Sequence, residues 1–205
     1  MRIVGIAGSL LSNAYVSRLL EASARELPAR LELEVWDGLE RVPPVEDGPL
    51  PASLEELCDR LARADGMLIT APAHSVLPPQ LIHTLDWVAS QHGGTVLLGK
   101  PALVVTACPR DYESMWTQTR LRRALASAGA HAWGADLAVS PMFGHFDAEG
   151  RIADPAVRAR LRAALDHLRP LSLVSSAGMA APSAVIARGP RAASQPGGAR
   201  AVVRG

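Results

Sequence analysis

Five short apolar runs alternate along this chain with stretches of helical periodicity, and that alternation leaves few folds open. Ile3 to Ala7 is β-branched and apolar and ends at Gly8, as suits a strand buried on both faces. Val16, Leu19, Leu20, Ala24 and Leu27 then recur at helical spacing, with Ser12 or Asn13 offering a side-chain oxygen as cap. Leu31 to Trp36 alternates apolar and acidic residues, as an edge or half-exposed strand does. Residues 37–52, with four prolines and two glycines, read as a long surface connection. Ser53 and Glu56 have capping-box spacing ahead of a helix whose buried stripe is Leu54, Leu57, Cys58 and Leu61.

The pattern repeats three more times. Met67 to Thr70 predicts a strand, the loop from Pro72 to Pro79 follows, and a helix runs through Leu81, Leu85 and Val88. Leu103 to Thr106 precedes a helix through Leu121, Ala124, Leu125 and Ala128. His131 to Val139, interrupted by Gly134, precedes a last helix through Val157, Leu161, Ala164 and Leu168. Five βα units require parallel strands with right-handed helical crossovers, hence a three-layer α/β sandwich. Ligands of open parallel sheets sit beyond the carboxyl ends of the strands, where strand order reverses. Here those ends are the loops after residues 7, 70 and 107.

Composition narrows the function classes. The 205 residues carry a formal charge of +1, which removes the global basic field on which nucleic-acid binding depends. Residues 171–205 hold Arg188, Arg191, Arg200 and Arg204 without any acid, so the first 170 residues are net acidic and the near-neutral total is a cancellation. That last segment, rich in Ala, Gly, Ser, Pro and Arg, has the composition of a flexible tail on a domain of residues 1–170. The two cysteines, Cys58 and Cys108, have no CxxC pairing and fit neither a disulfide scaffold nor a zinc site, and no other grouping has metal-ligand spacing. Cys58 reads as a small core residue against the alternative of a reactive thiol. The N-terminal apolar run is too short for a signal peptide or a membrane span, so a cytoplasmic protein is expected.

The first loop, Gly8-Ser9-Leu10-Leu11-Ser12-Asn13-Ala14-Tyr15, runs straight into a helix N-terminus. Free N–H groups, the helix dipole and the hydroxyls of Ser9 and Ser12 could hold a phosphate; an ordinary capped turn is the alternative. It is neither a Walker loop nor a GxGxxG fingerprint. The third loop, Ala107-Cys108-Pro109-Arg110-Asp111-Tyr112-Glu113-Ser114-Met115-Trp116, offers Arg110 for a phosphate or a surface ion pair. Its Tyr112 and Trp116 suit flavin stacking or a dimer contact, with packing against the neighbouring helix the favoured reading.

The second loop and its helix run from Thr70-Ala71-Pro72-Ala73-His74-Ser75 to Leu85-Asp86-Trp87. With the leads Ala64-Asp65-Gly66 and Gly99-Lys100-Pro101, and Phe146-Asp147-Ala148-Glu149-Gly150-Arg151-Ile152-Ala153-Asp154, residues 2–168 resemble the NAD(P)H-dependent FMN reductases of the flavodoxin-like superfamily. The resemblance implies a five-stranded parallel sheet of order 2-1-3-4-5, FMN at its carboxyl edge, and a homodimer or homotetramer. It also implies hydride transfer from NADPH or NADH to bound FMN and on to FMN, a quinone or another small acceptor, with no catalytic triad, nucleic acid or membrane partner. The cofactor-binding residues it implies are Ser9, Leu10, Leu11, Ser12, Asn13, Tyr15, Pro72, Ala73, His74, Ser75, Cys108, Arg110 and Tyr112.

The match within the loops is partial. Gly8, Ser9 and Leu10 agree with the family's Gly-Ser-Leu-Arg-x-x-Ser-x-Asn, while its arginine falls on Leu11, its second serine on Ala14 and its asparagine on Val16. Its Pro-Glu-Tyr falls on Ala71-Pro72-Ala73, and His74 takes the next place, where main-chain N–H groups of His74 and Ser75 could meet a flavin ring. His83 reads as a packing or interface residue. These departures motivate an alternative: a flavodoxin-like protein that has lost FMN binding or reductase activity and acts as a binding or assembly partner.

Overall fold

The computed structural model describes residues 1–10, 15–46, 48–72, 77–90, 95–107, 114–137 and 145–168. The chain divides into two units, Met1–Ser172 and Leu173–Gly205, and all described residues belong to the first. The tail expected over 171–205 lies outside the described residues.

Five strands, β1 (Arg2–Ala7), β2 (Glu32–Trp36), β3 (Gly66–Pro72), β4 (Pro101–Ala107) and β5 (His131–Leu137), form one parallel sheet of order β2-β1-β3-β4-β5. The helices are α1 (Tyr15–Glu26), α2 (Ala52–Arg63), α3 (Pro79–Ala89), α4 (Ser114–Ser127) and α5 (Pro155–Leu165). Period-two alternation sorts the strand residues between two cores. Val4, Ile6, Met67, Ile69, Ala102 and Val104 face α2, α3 and α4. Ile3, Leu68, Leu103, Val105 and Ala107 face α1 and α5. The sheet is therefore buried on both sides, which explains why the central strands read as continuous apolar runs. β2 lies at the edge, as its acidic alternation predicts.

Three local expectations are corrected. Helix α2 starts at Ala52 behind Pro51, with no side-chain cap, so Ser53 and Glu56 form no capping box. Ser53 Oγ instead donates to the Arg41 carbonyl, and Glu56 pairs with Arg60 one turn on. The connection over 37–52 is also not purely surface: Gly38–Arg41 form a short 3-10 turn, and Leu39 and Val42 are buried against Trp36 and α2. The last helix, too, ends at Leu165; Leu168 sits in a following 3-10 turn, Asp166–Leu168.

Gly134, which interrupts the pattern of β5, has a packing reason. A Cβ there would overlap the amide of Gln118, which lies across the strand and donates from Nε2 to Thr106 Oγ1 at 3.1 Å. Gly134→Ala should displace Gln118 and lower stability by roughly 1–3 kcal/mol in urea denaturation, and an unchanged midpoint would contradict the packing. Cys58 is buried, as expected of a core residue. Burial pushes its thiol above the ordinary value and the nearby Asp59 adds to the shift. Alkylation at mildly alkaline pH, read by peptide mass spectrometry, should modify Cys58 only after denaturation.

Candidate functional site

The strand ends that approach the carboxyl edge are small: Ala7-Gly8 after β1, Ala71-Pro72 in β3 and Ala107 in β4. Gly8 is forced by close approach, since a Cβ would stand 2.8 Å from Leu81 Cδ2 and 2.9 Å from the Thr70 carbonyl oxygen. Its own N–H donates to that carbonyl at 2.7 Å, so the first loop leaves β1 still bonded to β3. The order β2-β1-β3 places the reversal of strand order at this junction, where the helices after β1 and β3 leave on opposite faces.

Polar side chains tie the edge together. Thr70 Oγ1, fully buried on β3, donates to the Val16 carbonyl at 2.9 Å and so fixes the first turn of α1 over β3. The hydroxyl of half-buried Tyr15, the first residue of α1, reaches the Ala107 carbonyl at the end of β4, 3.1 Å away. The Gln118–Thr106 bond holds α4 to the same end of β4. The starts of α1 and α4 and the ends of β3 and β4, distant in sequence, are thereby held in one frame. No acidic residue stands in the first turn of α1, whose dipole leaves that end positive.

Of the sequence-predicted residues, Ser9, Leu10, Tyr15 and Pro72 lie on this edge. Tyr15 has a bracing role through its hydroxyl. Leu11, Ser12, Asn13, Ala73, His74, Ser75, Cys108, Arg110 and Tyr112 lie outside the described residues. Trp116 departs from the favoured reading: it is 77% exposed on α4 and does not pack against a neighbouring helix.

A cavity of about 490 Å³ beside the end of β1 was not foreseen. Ser9, Leu10, Ser17 and Val35 line it together with Glu21, Asp37 and Glu40. Glu21 and Asp37 each have an exposed arginine one turn away at 3.9 Å, which neutralises them only in part. The β2 side of β1 is thus unfavourable for a phosphate. On the β3 side, the described residues Tyr15 and Pro72 include no acid, and Ser9 stands between the two sides. The signal for this cavity was the Trp36-Asp37-Gly38 turn after an edge strand.

An open parallel sheet whose strand order reverses between β1 and β3 is the architecture in which α/β proteins take ligands beyond the carboxyl ends of their strands. The family model described as NADPH-dependent FMN reductase matches residues 1–143, and the chain belongs to that family, within the NAD(P)H-dependent flavin and quinone oxidoreductases. It is 25% identical over 175 residues to an NAD(P)H-dependent FMN reductase of Pseudomonas aeruginosa, covering 82% of this chain and 94% of the relative. It is 28% identical over 130 residues to the CrdA subunit of an NADH:(hydroxy)cinnamate reductase of Vibrio ruber, covering 62% of each. Among solved structures, the flavoenzyme FerB of Paracoccus denitrificans superposes with a TM-score of 0.66 at 21% identity, covering 82% of this chain and 96% of that one. An apo NADH:FMN oxidoreductase superposes with a TM-score of 0.60 at 23% identity, covering 82% and 87%. These superpositions establish the fold.

If Tyr15 braces the edge, Tyr15→Phe should lose about 0.5–1.5 kcal/mol of stability in urea denaturation. Amide hydrogen exchange should quicken selectively at the start of α1 and the end of β4. A uniform change across the sheet would remove the bracing role.

Proposed function

We propose that the protein is an NAD(P)H-dependent flavin oxidoreductase that holds FMN at the β1–β3 junction and passes reducing equivalents to FMN, a quinone or another small acceptor. The observation that carries this reading is the junction itself: small strand ends and an acid-free helix N-terminus within a family-matched stretch. Bound FMN supplies the ability to take a hydride from a nicotinamide and release it to an acceptor. The chain's own part is positional. Ser9 and the start of α1 would meet the phosphate, joined by Leu10, Leu11, Ser12 and Asn13 from the first loop. Pro72, Ala73, His74 and Ser75 from the second loop, with Cys108 and Tyr112 from the third, would border the ring, and Arg110 would meet a phosphate of the nicotinamide cofactor. The bonds from Thr70 and Tyr15 fix the start of α1 against β3 and the end of β4, the elements from which these loops depart. A dimer or tetramer belongs to the same reading.

One observation favours a second reading, a flavodoxin-like binding or assembly partner that has lost FMN. Val16, standing where the resemblance puts a loop asparagine, is 1% exposed and belongs to the core of α1, so its side chain offers no donor. FMN binding separates the two readings. The purified protein should quench FMN fluorescence at micromolar concentration and consume NADPH or NADH with FMN or a quinone as acceptor. Ser9→Glu should abolish FMN retention by setting a carboxylate against the phosphate; equal retention would move the phosphate site elsewhere. Absence of FMN binding by the unmodified protein would establish the second reading.

A further inference from the structure

Trp116 sits in the first turn of α4, at the carboxyl edge of the sheet, yet it is 77% exposed. An indole is a large apolar surface to leave in water, and it gains most from a flat partner laid against it. The rest of α4 is one-signed. The helix carries Arg120, Arg122 and Arg123 and no acid, and none of the three has an ion-pair partner among the described residues. Helical spacing puts Thr119 and Arg123 on the side of α4 that bears Trp116, about one and two turns farther from the edge. A hollow of about 330 Å³ lies there, between α4 and β5, lined by Thr119, Arg122, Arg123, Ala126 and Ala132. The stem of Arg122 is held over Gly134, which turns this guanidinium's base toward β5. An exposed aromatic face thus adjoins a hydroxyl and two guanidinium groups that have no ion pair among the described residues, around a concavity.

We propose that this face of α4 binds the adenosine 2′-phosphate end of NADPH, with adenine stacked on Trp116 and the phosphate seated among Thr119, Arg122 and Arg123. The inference rests on the reading of the chain as a reductase that uses a reduced nicotinamide, and it assigns the residues that distinguish NADPH from NADH. Charge selects the occupant. A second copy of this chain would bring its own three α4 arginines toward the first, whereas a phosphate dianion accepts bidentate bonds from guanidinium groups. Helix α4 follows β4 in the chain and starts at the carboxyl edge of the sheet, so a ligand whose nicotinamide reaches that edge can extend along α4.

The test uses adenosine 2′,5′-bisphosphate and 5′-AMP as probes, titrated calorimetrically into the full chain. The bisphosphate should bind at least about tenfold more tightly than AMP, as charge-assisted bonds to one phosphate imply. Arg123→Ala should erase that difference, and Arg123→Lys should restore part of it. Trp116→Ala should weaken both probes and remove the quenching of tryptophan emission that they cause. Equal affinities for the two probes, or an unchanged ratio in Arg123→Ala, would overturn the proposal. So would a Trp116→Ala variant that dissociates an oligomer in sedimentation while keeping the bisphosphate affinity, since the occupant would then be a second copy. FMN binding measured on the same samples keeps the two readings apart. Its loss with bisphosphate binding intact removes the flavin reading alone, and its presence without bisphosphate binding removes the phosphate site alone.

Discussion

A parallel sheet has edges that differ in kind, and the rest of this molecule follows from how β1 and β3 are joined at one of them. Gly8 gives its N–H to the Thr70 carbonyl, and Thr70 gives its hydroxyl to the Val16 carbonyl. Both groups of one buried residue are thereby used to hold the first loop and the first helix in place. Because Thr70 is fully buried, those bonds are shielded from water, and losing either would leave an unpaired polar group inside the core. The crevice that the fold offers to a ligand is therefore a rigid feature of the sheet. The loops add chemistry to it.

The opposite edge is organised by different residues. Lys100 donates to the carbonyls of Leu61 and Ala62 and so closes the end of α2, while Asp65 accepts the Arg2 N–H ahead of β1. Burial lowers the Lys100 pKa from its ordinary value, and Asp65 acts in the opposite direction. At Gly66 a Cβ would stand 2.8 Å from the Pro101 carbonyl oxygen. Thus two of the short stretches on which the family resemblance rests, Ala64-Asp65-Gly66 and Gly99-Lys100-Pro101, are devices of folding at the amino ends of β3 and β4. The same holds at Asp154, which accepts from the N–H groups of Ala156 and Val157 and starts α5 with Pro155 behind it.

This division explains what could be read from the sequence. Strand number and the buried strands were legible because a doubly covered sheet writes continuous apolar runs, whereas the strand order came with the family resemblance, whose short motifs include close approaches such as those at Gly8 and Gly66 that admit only glycine. The capping box at Ser53 failed because Pro51 already sets the entry to α2, leaving the serine hydroxyl free to reach the Arg41 carbonyl. The buried turn at Leu39 was hidden by the prolines around it. Tyr15 was singled out by position, but its task is to reach Ala107, 92 residues away, and no local pattern encodes a partner at that distance. Nor does periodicity distinguish an exposed tryptophan from a packed one: Trp116 falls on a helix whose neighbours Leu121 and Leu125 are buried, and only the position around the axis separates them.

Charge gives the carboxyl edge a direction that the fold alone lacks. On the β2 side, Glu21, Asp37 and Glu40 surround the cavity beside Ser9. On the β5 side, α4 itself carries three arginines and no acid, and none of the three is ion-paired among the described residues. The junction of β1 and β3 lies between the two. An anion drawn to this edge meets repulsion on one flank and attraction on the other, and at separations below about 8 Å salt does little to screen either. The acids near Ser9 do not oppose a phosphate at the α1 N-terminus outright, because they open toward β2 and their arginine neighbours offset part of the charge. They do bar a second anionic group from spreading that way. Under the proposed function, a dinucleotide sharing the edge with a flavin phosphate would meet favourable charge along α4, where the exposed indole and the guanidinium groups stand.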